Sequence, residues 1–418
     1  MSRILILSAT TGYQLRAFGD AAARLGFELM FATDRCHRLD DPWRDRAVAV
    51  RFHDVTAAVR AVTAACRKTP VDGLVAVGDR PVVLAAHVAE ALQLPWNPPG
   101  GAVAAVNKRR TRERLRDAGL PVPWFAEIPD GSDAAAIEQL LRFPAVLKPL
   151  GLSASRGVIR VDDLPSADAA LRRIRALLAR RELRALRTGM ERQILAEGYI
   201  DGPEYAIEGV LTEGTLHAFT IFDKPDRLEG PFFEETVYLT PSRLPAAVQA
   251  QVLEAVQSAA LALGLRHGPV HAECRVSSGT AFVLEIAPRP IGGLCARVLR
   301  FAPGGRSLED VLLRHAAGED VAGVRLSDSA AGVMMIPIPR RGLLKRVEGE
   351  ADARDVPGIE DVRITAKRDQ LLEPLPESGS YLGFIFARGE STSAVDAALR
   401  EAHRRLRFII DVPIAVSG

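Results

Sequence analysis

The strongest candidates for chemistry in this sequence are two glutamates, Glu273 and Glu285, on neighbouring strand-like segments. Glu273 alternates with apolar residues in Val270–Val276. In the second segment we expect Phe282, Leu284 and Ile286 to face the core, so that Glu285 points the other way. If the connection between the segments holds an odd number of residues, the two carboxylates pair on one face of a sheet. Paired carboxylates repel each other unless a cation lies between them, and hard oxygen ligands suit Mg²⁺. The alternative is two acids on a solvated sheet face.

An arginine on a stiffened backbone follows these glutamates. Arg289 has a proline on each side, and the Gly292-Gly293 pair beyond it permits close approach by a ligand. A guanidinium held there can clamp a carboxylate or a phosphate through two parallel hydrogen bonds, or it can form a salt bridge to a neighbouring acid. His267 and His271, near Glu273, are candidates for a general base. A histidine that belongs only to the core or the surface is the more common case for each.

A lysine followed by a loop of small residues is a second candidate for binding an anion. Lys148 ends the apolar strand Ala145–Lys148, and the loop continues to Gly157. Successive backbone N–H groups in such a loop can fold over anionic oxygens, while the lysine supplies a fixed positive charge. A flexible hairpin loop with a solvated lysine is the alternative.

The segment Glu197–Glu204 has the pattern of a strand, a turn and a second strand. Such a segment can offer backbone groups to an adenine edge and a carboxylate to ribose hydroxyls. A tight β-turn with solvated acids is the other interpretation, because Asp201, Gly202 and Pro203 are typical turn residues.

The elements that would position these residues begin with a small α/β region. Apolar strands alternate with helical patterns in the order expected of a doubly wound parallel sheet. The predicted strands are Arg3–Ser8, Glu28–Ala32 and Gly73–Val77, and the predicted helices are Tyr13–Leu25, Val55–Lys68 and Pro81–Leu92. The turn after the first strand, Ser8–Gly12, lacks the GxGxxG fingerprint, which counts against a dehydrogenase.

A Pro/Gly cluster at Asn97–Gly101 marks the end of this region. An arginine-rich helix, Val103–Ala118, follows and is expected to stop at Gly119. Beyond it, strands are grouped with intervening helices, which favours an α+β arrangement. The expected strands are Ala145–Lys148, Val158–Val161, Gln193–Ile200, Glu204–Leu211, Leu216–Phe222, Val270–Val276, Ala281–Ile286, Gly332–Ile338 and Tyr381–Ala387, with helices at Ser166–Leu186, Pro245–Leu263 and Val395–Leu406.

The composition is that of an ordinary globular protein, with 418 residues of which 48% are hydrophobic and 25% charged. The formal net charge of +2 argues against a polybasic nucleic-acid binder. We expect no membrane-spanning helix, because we find no run of about 18 apolar residues, and no cleaved signal peptide. The four cysteines form no CxxC pair, so we expect a reduced, cytoplasmic protein without structural zinc.

Several nucleotide and hydrolase motifs, GxxxxGK[ST], HExxH and GxSxG, are missing from the sequence. Taken in order, however, the segments above resemble the ATP-grasp superfamily of carboxylate–amine ligases over about Gly100–Gly318. The resemblance rests on five elements: Asn107-Lys108 with the helix that ends before Pro121, Phe143–Pro149 with the loop Ser153–Gly157, the hinge Glu197–Ile200, the turn Gly202–Glu204, and the pair Glu273 and Glu285.

Within the superfamily, the sequence is most similar to the L-amino acid ligases, which form dipeptides. The segments that carry this similarity are Glu285–Gly293, Val333–Pro339 and Tyr381–Phe386. The resemblance implies three domains: a Rossmann-like domain over 1–100, an ATP-grasp region over 101–323 and a C-terminal α+β domain over 324–418. One departure is Ala287, where many ATP-grasp enzymes have a metal-ligating asparagine; some L-amino acid ligases also have alanine there.

The resemblance implies that ATP phosphorylates a carboxylate and that an amine then displaces phosphate from the acyl phosphate. Glu273 and Glu285 would bind Mg²⁺, with Mn²⁺ as the alternative ion. Arg289 would hold the acyl phosphate, and Lys148 would both bind the nucleotide and assist catalysis. The remaining residues implied in ATP binding are Lys108, Ser153, Ser155, Gly157, Glu197, Tyr199, Ile200 and Glu204.

The expected substrates are small, amino-acid-like molecules, and no nucleic acid or membrane partner is expected. Related ligases are often dimers, so a homodimer is one expected state. Two alternatives stay open at this point. One is a different ATP-grasp reaction, such as bicarbonate-dependent carboxylation, and the other is a non-catalytic ATP-binding module, which the alanine at position 287 would suit.

Overall fold

The computed structural model describes residues 1–9, 14–34 and 47–411. They form two compact units. The first consists of Met1–Val122, Ala206–Ile221 and Leu244–Ser327, and the second of Pro123–Tyr205, Phe222–Arg243 and the described part of Asp328–Gly418. The predicted turn Ser8–Gly12, the start of the first helix at Tyr13, and Cys36 lie wholly or partly outside the described residues. The division into three domains at residues 100 and 323 stays a prediction.

The N-terminal part of the first unit is the small parallel α/β layer expected from the sequence. Its strands run parallel in the order β3-β2-β1-β4. The elements are β1 (Arg3–Ser8), α1 (Leu15–Leu25), β2 (Glu28–Thr33), β3 (Val48–Ala49), α2 (Val55–Lys68), β4 (Gly73–Val77) and α3 (Val82–Leu92). All five residues of β4 are buried, although β4 lies at one edge of the described sheet.

The arginine-rich segment after this layer forms two helices, α4 (Pro99–Ala105) and α5 (Lys108–Asp117), so the prediction of one continuous helix is wrong. The break occurs because Asn107 has an extended backbone and caps the second helix. Its side-chain oxygen accepts a hydrogen bond from the N–H of Arg110, at 3.1 Å. The end of α5 follows the prediction, since Gly119 has φ of +72°.

The second unit starts with an antiparallel sheet in the order β5-β8-β6-β7. Its elements are β5 (Phe125–Ile128), a 3₁₀ helix at Ala135–Leu140, β6 (Ala145–Pro149), β7 (Ile159–Val161), α6 (Leu164–Leu178), α7 (Arg181–Arg184) and β8 (Ile194–Gly198). The single helix predicted over Ser166–Leu186 is divided, because Arg180 has a non-helical backbone with ψ of 138°. An Asp163–Ser166 capping box starts α6.

The middle of the chain contributes long strands and one long helix. The elements are β9 (Glu204–Thr212), β10 (Thr215–Asp223), β11 (Val237–Thr240), α8 (Ala246–Leu263), β12 (Gly268–Ser277), β13 (Thr280–Ala287), a 3₁₀ helix at Cys295–Val298, β14 (Phe301–Ala302), α9 (Leu308–Ala316) and β15 (Arg325–Leu326). In the first unit the strands neighbour one another in the order β13-β12-β9-β10.

The helix α8 corrects one expectation from the sequence. By length and composition alone, its 18 residues are apolar enough to cross a membrane, whereas we expected no such segment. A core helix of a globular protein has the same composition. One face of α8 is buried in the first unit through Val252, Val256, Ala260 and Leu263, and the helix packs on β13.

The C-terminal part of the second unit contains two antiparallel strand groups, in the orders β11-β16-β20-β18 and β19-β17-β21. Its elements are β16 (Ala330–Ile336), β17 (Gly342–Glu348), α10 (Glu350–Arg354), β18 (Ile359–Ile364), β19 (Leu371–Leu372), β20 (Gly383–Gly389), α11 (Thr392–Arg405) and β21 (Arg407–Asp411). The helix α11 packs Val395, Leu399 and Ala402 on a core that includes Met334 and Ile385.

Candidate active site

The two candidate metal-binding carboxylates lie directly opposite each other on β12 and β13, in the first unit. Glu273 pairs with Glu285 in the antiparallel register. The turn places Ser277 opposite Thr280, and that register alone would set Glu273 against Leu284. A β-bulge just after Glu273 shifts the pairing by one residue and brings the two glutamates together. Residues opposite each other in such a pair have Cβ atoms roughly 5 Å apart, so both carboxylates can reach one cation.

The bulge also changes which side chains of β13 face the core. Ile286 is buried as predicted, but Phe282 and Leu284 are half-buried, and Ala281 and Val283 are buried instead. The prediction for Phe282 and Leu284 is therefore wrong, because the extra residue changes the phase of the alternation between them and Ile286.

A buried arginine stabilises the bulge. Arg112, on α5, is 1% exposed, and its guanidinium donates hydrogen bonds to the carbonyl oxygens of Val283 (3.3 Å) and Leu284 (3.0 Å). These carbonyls lie where the regular strand pairing is interrupted, and a buried carbonyl needs another donor there. The sequence analysis missed Arg112, because a helix with so many arginines gives no sign of which one is buried.

His271 lies between two carboxylates of the first unit. Its Nδ1 is 3.0 Å from Glu208 Oε2 and its Nε2 is 3.7 Å from Glu273 Oε1. Burial alone lowers the pKa of His271, but the hydrogen bond to Glu208 and the nearby carboxylate of Glu273 outweigh burial and raise the pKa to about 9. A raised pKa counts against a role as general base, and the position of His271 between Glu208 and Glu273 is that of a support for Glu273.

Glu208 completes this group from β9. It is fully buried and also accepts a hydrogen bond from the amide of Ile291, at 3.1 Å, just beyond Arg289. A buried carboxylate needs such partners to offset its lost hydration.

Arg289 is held by an acid from the N-terminal layer. Its Nε donates to Asp79 Oδ1 at 2.7 Å and its Nη1 to the carbonyl oxygen of Pro290 at 3.1 Å. Burial by itself lowers the pKa of Arg289. The negative charges of Asp79 and Glu285 outweigh burial and raise the pKa above its ordinary value, so the guanidinium stays charged. The sequence signal for Asp79 was its position just after the carboxyl end of β4, where parallel strands place functional side chains.

In the second unit, Lys148 and Glu197 form a buried ion pair. Their side chains are 12% and 4% exposed. They come from adjacent antiparallel strands, β6 and β8, in which Val146 pairs with Glu197. The structure thus brings together a predicted phosphate-binding lysine and a predicted adenine-hinge acid. The lysine charge is oriented by a carboxylate and is still partly open to solvent.

The hinge residue Tyr199 lies between an aromatic ring and a cation. Its ring stacks on Phe233 with centroids 6.4 Å apart, and the Arg160 guanidinium carbon lies 4.2 Å from its ring centroid. Its amide donates to the carbonyl oxygen of Pro144 at 3.1 Å. Tyr199 and Ile200 are both half-buried, so the hinge is partly accessible to solvent.

Glu204 belongs to a buried cluster that sequence reasoning missed. Lys224 Nζ lies 2.7 Å from a carboxylate oxygen of Glu204 and 2.7 Å from one of Glu235, and the lysine side chain is 3% exposed. One positive charge therefore balances two negative charges. The only sequence signal was that the polar residues Asp223 and Lys224 end an otherwise apolar strand.

The loop Ser153–Gly157 has an unusual backbone. Ala154 and Ser155 both have left-handed φ values, +55° and +54°, as does Gly157 at +70°. Two successive non-glycine residues in this region are strained, and such strain is found mainly at functional sites. Ser153 and Ala154 are exposed. The Gly157 amide donates to the carbonyl oxygen of Pro376 at 2.9 Å, so it does not point to solvent. In the first unit, Lys108 is the first residue of α5 and half-buried.

Comparison with known proteins agrees with this arrangement. Three families match consecutive parts of the chain: the ATP-grasp N-terminal domain over residues 19–96, the ATP-grasp domain over 141–298 and the L-amino acid ligase C-terminal domain 2 over 334–411. The crystal structure of an L-amino acid ligase from Bacillus licheniformis superposes with a TM-score of 0.79 at 28% identity, covering 98% of this chain and 99% of that one.

Two curated relatives are similar over shorter stretches. The uncharacterized protein y4rH of Sinorhizobium fredii is 26% identical over 74% of this chain and 62% of its own length. The alanine–anticapsin ligase of Bacillus amyloliquefaciens is 27% identical over 46% of this chain and 44% of its own length. The chain therefore spans about half of the length of these relatives. It carries ATP-grasp domains and the C-terminal domain of the L-amino acid ligases, which confirms the resemblance and the fold class expected from the sequence.

Proposed function

We propose that the protein is an ATP-dependent ligase that joins the carboxylate of one amino-acid-like molecule to the amine of another. The reaction would form an amide bond and release ADP and phosphate. The observation that carries this proposal is the opposed pair Glu273 and Glu285, because two adjacent carboxylates are a donor set that fits a hard divalent cation. The resemblance to these ligases supports the class of reaction.

In the first step, an oxygen of the substrate carboxylate attacks the γ-phosphorus of ATP, the bond to the β-phosphate oxygen breaks, and ADP leaves. Phosphoryl transfer mainly requires positioning and neutralisation of negative charge. Lys108 and Lys148 supply that charge for the α- and β-phosphates, and Glu197 fixes the direction of Lys148. Mg²⁺ on Glu273 and Glu285 would neutralise the charge of the γ-phosphate.

In the second step, the amine attacks the carbonyl carbon of the acyl phosphate. A C–N bond forms, the C–O bond to phosphate breaks, and the proton of the amine passes to the departing phosphate. Arg289 would hold the acyl phosphate and stabilise the oxyanion of the tetrahedral intermediate. Asp79 keeps its guanidinium in a fixed plane. His271, beside Glu273, would help to hold that carboxylate in place.

The nucleotide contacts are part of the same proposal. Glu197, Tyr199 and Ile200 would bind the adenine, Glu204 the ribose hydroxyls, and Ser153 and Ser155 the phosphates. Gly157, whose amide is bonded to Pro376, would shape the loop without contacting the phosphates. The strain at Ala154 and Ser155 supports the phosphate-binding role of that loop. We further propose that Mg²⁺ is the physiological ion, with Mn²⁺ as the alternative, and that the enzyme works in the cytoplasm on small molecules, as a homodimer.

The test is a screen of amino-acid pairs for phosphate release, followed by mass analysis of the product. We expect ADP release that requires Mg²⁺ and an amino acid, with a dipeptide-like product. Glu285→Gln should lower this rate by about 100-fold or more, because metal binding supplies several kcal/mol to such a step. Glu319→Gln is a matched control, since Glu319 pairs with Arg314 at a surface position of the same unit.

Other outcomes would replace the proposal. Full turnover by the Glu285→Gln variant would contradict the metal site. ADP release that needs bicarbonate and no amino acid would indicate a carboxylation reaction. ATP binding by calorimetry without ADP formation from any amino acid would indicate a binding module.

A further inference from the structure

The segment Glu373–Ser380, which follows β19 in the C-terminal part, contacts the phosphate loop Ser153–Gly157 directly, and both lie in the second unit. The Gly157 amide donates to the carbonyl oxygen of Pro376 at 2.9 Å. Arg156 Nη2 makes a longer contact of 3.5 Å to the carbonyl oxygen of Glu377. We call Glu373–Ser380 the latch segment.

Gly379 provides the closest packing between the latch segment and the loop. A Cβ added at Gly379 would lie 2.7 Å from the Cβ of Ala154 and 2.8 Å from its carbonyl oxygen. Real Cβ atoms do not approach backbone that closely, so only glycine allows the observed distance. Ala154 is one of the two residues with a strained left-handed backbone. The latch segment therefore packs against the loop at Ala154, where the backbone of the loop is strained.

Ion pairs fix the latch segment to α6 and to the residue that precedes α7. Glu377 accepts two parallel hydrogen bonds from Arg173 on α6, the one from Nη2 at 2.8 Å. Glu373 Oε2 accepts from Arg180 Nη1 at 2.7 Å. Since both acids are already paired, their charges are neutralised and would not repel a nearby phosphate.

Arg156 carries a positive charge in the loop, and its guanidinium is not fully hydrogen-bonded. Its Nε is buried and has no hydrogen-bond partner among the described residues. Burial lowers the pKa of Arg156, and the charge of Arg180 lowers it further. A bound anion would supply the missing hydrogen bond and the opposite charge, provided that the loop holds the guanidinium in place.

We propose that the latch segment, through Gly379 and the Arg173–Glu377 pair, holds the phosphate loop in its binding conformation and so limits the loss of acyl phosphate to water. In that loss, water attacks the carbonyl carbon, phosphate leaves, and the free carboxylate is regenerated without an amide product. Glu377 and Gly379 are thus positioning residues contributed by the C-terminal part. This inference rests on the proposed function, because it assigns the loop to the triphosphate.

The test compares Gly379→Ala with Gly389→Ala, a control in the same unit whose added Cβ would make only an ordinary contact of 3.4 Å with Val395. In the first variant we expect the KM for ATP to rise by about tenfold and the amount of amide formed per ADP to fall clearly, as when a closing loop is loosened. A general loss of stability would lower the folded fraction without changing either quantity.

Hydrogen exchange provides a readout that does not depend on activity. Amides of the loop peptide should exchange about tenfold faster in the Gly379→Ala variant than in the parent, both without nucleotide. Glu377→Gln, which removes the charged partner of Arg173 at a partly exposed position, is the second variant and should show the same changes to a smaller extent even if Gly379→Ala does not fold.

The outcomes separate this inference from the proposed function. Unchanged exchange, KM and amide yield in the folded Glu377→Gln and Gly379→Ala variants would overturn the role of the latch segment. If the parent protein makes no amide while the exchange rates change as expected, the proposed function fails but the positioning of the loop by the latch segment stands.

Discussion

At the level of single residues, the arrangement around Arg289 shows how an N-terminal side chain takes part in the site. Asp79 follows β4 and bonds the Nε of Arg289 at 2.7 Å. A guanidinium tied at one edge can present its remaining edge to an anion in a fixed orientation. Asp79 therefore acts through Arg289.

We expect Asp79→Asn to lower kcat for amide formation by about 10- to 100-fold, since small misplacements of a catalytic group have effects of this size. The KM for ATP should change little, because Arg289 is assigned to the acyl phosphate and not to the nucleotide. The measurement is steady-state ADP release with the preferred amino-acid pair.

Asp72→Asn serves as the control. Asp72 lies just before β4 and accepts the amide of Arg3 at 2.8 Å in an exposed position. An equal loss of kcat in both variants would show that Asp79 matters only for stability of the N-terminal layer.

The sequence analysis found the site residues that are marked by their immediate neighbours in the sequence. Glu273, Glu285, Lys148 and Arg289 were found because each follows or interrupts an apolar strand. Asp79 and Arg112 were missed, because their partners are far along the chain, at sequence separations of 210 and 172 residues. Lys224 was missed because its partners Glu204 and Glu235 lie on other segments that the sequence does not align with it.

At the level of elements, the strands and helices around the site were largely predictable, but their interruptions were not. The predicted strand Ala281–Ile286 matches β13, yet the bulge that pairs the two glutamates leaves no mark in the pattern of apolar residues. It depends on Arg112 from another element. The break between α4 and α5 had a local signal, Asn107, which is a favoured N-cap residue.

That break leads to a prediction for Asn107→Ala. Loss of the cap should lower the free energy of unfolding by about 1 kcal/mol. The KM for ATP should also rise, because α5 begins with Lys108 and its first turn would fray. Asn107→Asp should keep both values near those of the parent, since aspartate caps equally well.

Ser391→Ala is the matched control for this element. Ser391 caps α11 by accepting the Ala394 amide at 3.2 Å, and it has no proposed role in nucleotide binding. A similar loss of stability with an unchanged KM for ATP is expected. If both variants raised this KM equally, the effect of Asn107 would be one of general stability.

At the level of the whole molecule, buried histidines make the stability of the fold depend on pH. The formal net charge of +2 counts every histidine as neutral and so does not reflect this. His315 on α9 is buried, its ring stacks on that of His267 with centroids 4.3 Å apart, and its Nε2 lies 3.0 Å from the Thr212 hydroxyl oxygen. Burial lowers the pKa of His315 to about 4, and the charges of His267 and His217 add to this. The pKa of His267 is lowered by burial as well, although Glu213 opposes the shift.

The sign of the pH dependence follows from these directions. Above about pH 6.5, the ordinary pKa, His315 and His267 are neutral in both the folded and the unfolded chain, and their contribution to stability is constant. As the pH falls from 6.5 towards 4, the unfolded chain binds protons that the folded His315 does not, so the folded state loses stability. Each such histidine contributes a slope of at most about 1.4 kcal/mol per pH unit.

We therefore expect the urea midpoint of unfolding to decrease between pH 6.5 and pH 4.5, and to decrease less steeply in a His315→Gln variant. Glutamine cannot be protonated, and its amide can still bond the Thr212 hydroxyl, so the pH dependence should change more than the stability at pH 7. His53→Gln is the control, since His53 is exposed. Equal slopes for the His315→Gln variant and the parent would mean that His315 binds its proton in the folded state as readily as in the unfolded one.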